Sequence, residues 1–374
     1  MAFPNFYGFG VLCEARLALE NTMRPLVSIL IPAYNAEKWL VETLRSAVAQ
    51  TWECKEIIVV DDGSQDQTLS VARSFESEMV KVFTQKNQGA AAARNNAFAK
   101  CRGDYIQWLD ADDLLGPDKI ALQIETLGES PNPKTLLSGE WGKFLHRPGR
   151  AQFVPTGLWC DLQPAEWLMR KMEQNAFMQT ATWLVSRELT EAAGPWDTRL
   201  LGDDDGEYFC RVLMASGGVH FVPRARVYYR RPRTESLSYM GASGRKRDAL
   251  WLSMKLHVGY LRSMDDCSRA RTAGVKYLQN FLVQLYPERP DLAAQAQELA
   301  RELGGHLEIP QFSWKYAWIN RFFGWRVARQ VQRSIPRIKW SLLRNWDRLL
   351  QIFSTIFAQN EKPLSMGSSN PERV

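Results

Sequence analysis

The chain has 374 residues, of which 45% are hydrophobic and 24% charged, with a formal net charge of +6. Such a chain folds and can bury a substantial core in one large domain with an appendage. The positive excess suits anionic ligands or an acidic membrane surface, and no DNA- or RNA-binding signature is present, so nucleic acid is excluded as a partner.

Cys13, Cys54, Cys101, Cys160, Cys210 and Cys267 stand too far apart for a zinc knuckle or a redox motif, which predicts reduced, mostly buried thiols in a cytoplasmic chain. Glu14, Arg16 and Glu20 interrupt any leader-like apolar run, and residues 1–24 read as an extension with a short helix over 11–21. No stretch reaches the roughly 18 apolar residues of a membrane-spanning helix.

Residues 26–31 are uniformly apolar and end at Pro32, Ala33, Tyr34 and Asn35, the pattern of a strand covered on both faces. Trp39, Leu40, Leu44, Ala47 and Val48 recur at helical spacing over 37–50, and 56–60 form a second buried strand, giving a β-α-β unit. That strand ends in Asp61, Asp62, Gly63 and Ser64, before a helix over about 66–77. A third strand is expected over 80–83. Gly89 then permits close backbone approach, and alanines begin a slim helix carrying Arg94 about one and a half turns in. A helix start with a guanidinium suits a phosphate; an ordinary surface helix is the competing explanation.

Tyr105, Ile106, Trp108 and Leu109 form a short β-prone run that stops in Asp110, Asp112 and Asp113. Carboxylates so close repel one another unless a hard cation sits among them. The strand tip therefore predicts Mg²⁺ or Mn²⁺ and, through it, a phosphorylated ligand. The competing explanation is an Asp-rich turn with Asp113 capping a helix from Leu114 and Leu115. Ligands of parallel sheets bind beyond the carboxyl ends of the strands, so both acidic clusters should face one crevice.

Together, Val27–Asn35, Glu56–Ser64, Asn87–Gly89 with Ala93–Asn95, and Leu109–Asp113 resemble the successive signatures of family 2 glycosyltransferases over roughly residues 25–235. The resemblance implies an α/β GT-A fold, with a Rossmann-like nucleotide-binding half around a mainly parallel sheet and an acceptor-binding half. It implies inverting transfer of a hexosyl or N-acetylhexosaminyl group from a nucleotide-diphosphate sugar to a hydroxyl of a glycan or lipid-linked acceptor, as in polysaccharide biosynthesis for the cell envelope. Base and ribose are placed against Pro32, Ala33, Tyr34, Asp61 and Asp62. An Asp can accept from an imide N–H or a ribose hydroxyl and Tyr34 can stack, which leans towards UDP. Asp110 and Asp112 stand at the acidic positions of the Asp-x-Asp metal motif, with Asp112 as direct ligand and Arg94 near the phosphates.

From 116 to about 165 the chain reads as loops punctuated by Pro131, Pro133, Pro148 and Gly149. A helix is expected over 164–175, a strand over 177–186 with Trp183 in the core, and a helical turn over 187–193. Asp203, Asp204 and Asp205 then precede a helix with Tyr208, Phe209, Val212 and Leu213 inward. Three acids exceed what helix capping needs. Hydroxyl attack requires a proton acceptor, usually a carboxylate. The family's acidic pair lies three to seven residues before an Arg; counted back from Arg211 this gives Asp204 and Asp205, with Asp205 taken as the base and Asp204 as the alternative. Over 227–238 the resemblance implies a basic loop closing on the diphosphate through Arg230, Arg231 or Arg233, although its usual His is missing.

Beyond 245, helices are expected over 245–264, 266–285 and 291–304. Over 312–357, Arg321, Arg326, Arg329, Arg333, Arg337, Lys339, Arg344 and Arg348 oppose only Asp347. Ile335, Ile338, Leu342, Trp346, Leu349, Phe353 and Ile356 recur every three or four residues beside them. Such a helix can make peripheral contact through 333–357 with an anionic bilayer at the inner face of the membrane, or pack on the catalytic domain or a partner with its charges solvated; the sequence leaves both open. The expected organisation is an extension 1–24, a GT-A domain 25–240 (nucleotide-sugar half 25–115, acceptor half 116–240), a basic, Trp-rich helical extension 241–358 and a disordered tail 359–374. The competing functions are a non-catalytic nucleotide-sugar or glycan-binding module with a degenerate site, and a nucleotidyltransferase. The second lacks a Gly- and Lys-rich triphosphate loop after the first strand.

Overall fold

The computed structural model of the protein describes residues 24–128, 132–231 and 243–360. The chain forms two compact units, Met1–Lys143 with Phe153–Pro310, and Phe144–Gln152 with Gln311–Val374. The elements expected over residues 25–110 are all present: β1 (Val27–Ala33), α1 (Leu40–Val48), β2 (Lys55–Asp61), α2 (Thr68–Arg73), β3 (Val80–Thr84), α3 (Ala90–Lys100) and β4 (Tyr105–Trp108); the helix expected over 11–21 lies outside the described residues. β1 and β2 are buried along nearly their whole length because their apolar runs have no polar face to offer water. The amphipathic α1 buries Leu40, Thr43, Leu44 and Ala47, one stripe of the helix. α2 is shorter than the expected 66–77.

There follow β5 (Leu114–Leu115), α4 (Lys119–Thr126), β6 (Thr135–Phe144), β7 (Gln152–Phe153), α5 (Pro164–Gln174), β8 (Val185–Ser186), α6 (Arg187–Ala193), α7 (Asp204–Ala215), β9 (Gly218–Arg230), α8 (Gly244–Met264), α9 (Ser268–Leu285), α10 (Pro290–Glu302) and α11 (Trp314–Asn360). One sheet has the order β3-β2-β1-β4-β8 and the other β5-β9-β6-β7. In the first, β1 pairs in parallel with β2, setting Ala33 beside Asp61, and with β4, setting Leu30 beside Trp108. The carboxyl ends of β1, β2 and β4 therefore finish at one edge.

The second half departs from its expectations in three places. The residues after Asp113 open no helix: Leu114 and Leu115 pair antiparallel with Tyr228 and Val227 of β9. The stretch expected to be loops contains the ten-residue β6. Its Gly139 and Gly142 hide the strand pattern, and Gly139 is there because a Cβ would fall 2.3 Å from the Ala225 carbonyl on β9. Of the strand expected over 177–186 only Val185 and Ser186 form a strand, preceded by a bridge from Leu184 to Leu137, because Gln179 caps a 3₁₀ turn over Thr180–Thr182. Trp183 is in the core, 1% exposed, as expected.

Helices α8 to α10 belong to the first unit: Trp251, Met254, Val258, Leu278 and Leu282 join the same buried apolar cluster as the sheet. The division of the chain thus falls at 310/311, where a boundary near 240 was expected. In the second unit, Gly324 (φ 79°) breaks the long helix α11 into two segments. There Asp347 accepts from His146 N at 3.0 Å and Arg147 Nε at 2.7 Å. Among the described residues no helix is long and apolar enough to cross a membrane. Of the described cysteines, all free, only Cys101 and Cys210 are buried and Cys267 is exposed, which corrects the expectation of mostly buried thiols. Cys13, like Arg233, lies outside the described residues.

Gly103 starts the turn into β4 against the backbone of β1. A Cβ there would stand 2.6 Å from Ser28 N and 2.9 Å from Leu26 O. Neither backbone atom can move without disturbing the sheet, so Gly103→Ala is expected to cost about 1–3 kcal/mol, read as a lower urea midpoint at unchanged m-value.

Candidate active site

The two acids after β2 are buried and hold the loops around them. Asp62 accepts from Gly89 N at 2.8 Å, Gln88 N at 2.9 Å and Gln85 Nε2 at 2.8 Å. It thereby fixes the 85–89 loop, with Gly89 at φ 92°, just ahead of α3. Asp61 accepts from Thr84 Oγ1 at 3.2 Å. Beside them Ala33 is buried, whereas Tyr34 is 49% exposed and presents its ring outward. Pro32, at the end of β1, is half-buried.

Arg94, one turn into α3, is 6% exposed. Its guanidinium donates to Asp110 Oδ1 at 2.7 Å and to Asp204 Oδ2 at 2.6 Å. Its Cζ also stands 4.3 Å from the Trp196 ring, which stacks on Tyr208 of α7. This one side chain joins α3, the tip of β4 and the start of α7. The tip is held from behind: Thr43 Oγ1 of α1 donates to the Ala111 carbonyl at 3.0 Å, and Arg230 Nε to that of Asp112 at 2.8 Å. Asp113 is fully buried and accepts from Gln179 Nε2 at 2.6 Å and Arg230 N at 2.7 Å. Asp205 accepts from Thr180 Oγ1 at 3.1 Å.

The expected site residues Arg94, Asp110, Asp112, Asp204 and Asp205 are thus brought together, and Pro32, Ala33, Tyr34, Asp61 and Asp62 lie at the neighbouring strand ends. Arg230 is a correction. It ends β9 instead of belonging to a loop, and its guanidinium is ion-paired with Glu42 at 2.6 Å over the Trp39 ring. Sequence reasoning missed Thr180, Gln179 and Trp196, whose polar or aromatic side chains carry no pattern of their own. It also missed Ser253, which reaches from α8 to Asp203 Oδ2 at 2.5 Å, and Tyr260, which donates to Glu207 at 2.6 Å.

The electrostatics follow from crowding. Burial pushes the Asp204 carboxyl up to about 6, against the pull of Arg94 and with the help of Asp205 and Asp110. Burial also raises Asp205, with Asp203 and Asp110 adding to it and Arg94 opposing. Asp113 is raised well above the carboxylate range by burial and then by Asp112 and Asp110. Carboxylates outnumber guanidinium groups in this crevice, so it suits a cation. Asp110 and Asp112 are half-buried, hard oxygen donors. Among the described residues no third His, Cys, Asp or Glu completes a cage around them. The pair fits a divalent ion that keeps its other positions for water and phosphate oxygens, as Mg²⁺ and Mn²⁺ do.

A mainly parallel sheet with acids at its carboxyl edge and a second sheet beside it is a GT-A-type α/β architecture. The structure of S. aureus TarS 1-349 in complex with UDP-GlcNAc superposes with a TM-score of 0.60 at 18% identity, over 74% of this chain and 81% of that one. Residues 28–135 match the sequence model of Glycosyl transferase family 2. An uncharacterized glycosyltransferase of Rickettsia typhi is 41% identical over 118 residues, 32% of this chain and 37% of that protein. The chondroitin synthase of Escherichia coli is 44% identical over 103 residues, 27% of this chain and 15% of that one. The chain therefore spans well under half the length of these curated relatives.

Removing Arg94 should raise Asp204 and Asp205, since its positive charge opposes the burial that pushes them up. In Arg94→Gln both are expected to titrate higher, moving the acidic limb of any pH–rate profile up. Carboxyl-carbon NMR titration of the variant against wild type checks the shift independently of activity. Asp204 also links pH to stability. Its pKa is raised in the fold, so the neutral form carries no penalty below the ordinary Asp value of 3.8; the destabilisation builds as pH rises from there and is complete once pH has passed about 6.

Proposed function

We propose that the chain is an inverting glycosyltransferase that moves a sugar, of hexosyl or N-acetylhexosaminyl type, from a UDP-sugar to a hydroxyl of a glycan or lipid-linked acceptor in envelope polysaccharide synthesis. The observation that carries this reading is the convergence of Asp110, Asp204 and Asp205 from two separate elements around Arg94, with Asp112 two residues beyond Asp110. The relatives' names point the same way: a solved neighbour is complexed with UDP-GlcNAc, and a relative is a polysaccharide synthase. In this reading residues 25–115 receive the nucleotide, with the base and ribose against Pro32, Ala33, Tyr34, Asp61 and Asp62, and 116–240 receive the acceptor.

Asp205 is the general base. Asp204 has one oxygen committed to Arg94, whereas Asp205 is held by the Thr180 hydroxyl, which orients it and leaves its second oxygen to take the acceptor's proton. Its raised pKa brings its basicity closer to that useful at neutral pH. Asp112, with Asp110, would hold Mn²⁺ or Mg²⁺, which when bound neutralises charge on the departing diphosphate. Arg94 keeps both halves of the site in register and stands beside the phosphates. The exposed side chains of Ile335, Trp346 and Leu349 support peripheral contact of 333–357 with the inner face of the membrane.

Thermal melts with UDP, GDP, dTDP and CMP, each with and without Mn²⁺, test the donor site. UDP at about 100 times its dissociation constant should add roughly 2.7 kcal/mol; the gain should need Mn²⁺ and disappear in Asp112→Ala. No shift with any nucleotide would sink the enzyme reading and favour a degenerate binding module. In a transfer assay Asp205→Asn should lower kcat by about 10²–10⁴ with UDP affinity retained, whereas a base at Asp204 would reverse the ranking of the two variants.

A further inference from the structure

A second feature lies beside the acidic crevice. Trp141 and Lys143, two residues apart on β6, point to the same face of the second sheet. The Trp141 ring lies 4.7 Å from that of Phe177 and 5.9 Å, edge-on, from that of Tyr229 on the neighbouring strand β9. Lys143 Nζ sits 5.1 Å from the Trp141 ring and 5.4 Å from the Phe177 ring. Three aromatic rings and an ammonium group thus form one cluster.

Three observations set it apart from ordinary core. Phe177 is 42% exposed although it packs on a buried indole. Lys143 has no carboxylate partner among the described residues, and the positive charge of Arg231 bears on it. Finally, the cluster is tied to the proposed base: two residues after Phe177, Gln179 holds Asp113, and Thr180 holds Asp205, while Arg230 N, next to Tyr229, also donates to Asp113.

We propose that Trp141, Phe177 and Tyr229, with Lys143, form the acceptor subsite and that it selects an anionic glycan. The half-exposed Phe177 ring offers a flat face to the C–H side of a pyranose or polyol. Lys143 meets a carboxylate or phosphodiester on the same or the next unit. A neutral glycan would use the rings but leave Lys143 without its counter-charge. This inference rests on the glycosyltransferase reading and adds the class of acceptor to it.

The test is calorimetric titration of the full chain with three probes: an oligosaccharide of alternating glucuronic acid and N-acetylglucosamine, a ribitol-phosphate oligomer, and neutral chitohexaose. UDP with Mn²⁺ is titrated separately. One anionic oligomer should bind at least roughly tenfold more tightly than chitohexaose, in keeping with a charge-assisted contact, and which of the two does so identifies carboxylate or phosphodiester as the recognised group. Lys143→Gln should abolish that preference, Phe177→Ala should weaken every oligosaccharide, Phe177→Tyr should restore binding, and UDP affinity should stay unchanged in all three. Equal binding of neutral and anionic probes, no binding of any, or an unaltered preference in Lys143→Gln overturns the proposal. A parallel loss of UDP affinity in these variants also overturns it, because the cluster would then belong to the donor. A wild-type chain that binds no UDP would instead undermine the glycosyltransferase reading, while the oligosaccharide titrations still decide the subsite.

Discussion

A guanidinium buried between two carboxylates is the contact on which the arrangement of the site depends. Removing Arg94 from water is costly unless every charge it needs is supplied inside the protein, and Asp110 and Asp204 supply it from opposite sides. The contact is geometric as much as energetic. Asp110 sits on the last residue before the β4 turn, Asp204 on the first residue of α7, and Arg94 on a helix kept slim by its alanines, which lets it approach the sheet. Losing any of the three would leave a buried charge uncompensated and free the start of α7 to shift relative to the strand ends.

The same logic extends outward to α8. Asp203 takes a left-handed conformation, φ 56°, at the start of α7, and Ser253 secures its carboxylate. His257, fully buried and kept neutral by burial, packs in the same place and accepts from or donates to the Tyr277 hydroxyl at 2.7 Å. One turn further along α7, Glu207 is clamped between Tyr260 and Arg211. Helices that look like an appendage in the sequence therefore brace the acidic end of α7, which explains why they share a core with the sheet.

Sequence alone made the first sheet legible, because β1, β2 and β4 are mainly apolar runs, and β2 and β4 stop abruptly in acids. The positions of Asp110, Asp112, Asp204 and Asp205 were readable for the same reason: several acids at one strand end or helix start exceed structural need. What was not readable depended on partners far away in the chain. Arg94 looked like a free phosphate ligand because nothing local reveals that Asp204 is its partner. Arg230 looked like loop because β9 is recognised only by pairing with β5 and β6. The glycines of β6 mask a strand whose reason lies in the close approach of Ala225.

The most direct test of this account is a crystal structure with UDP and Mn²⁺, the metal located by its anomalous signal. The account predicts the ion at the carboxylates of Asp112 and Asp110, the diphosphate beside Arg94, and the uracil over Tyr34 at the ends of β1 and β2. An ion or nucleotide bound away from the tip of β4, with Asp110 and Asp112 touching neither, would contradict it.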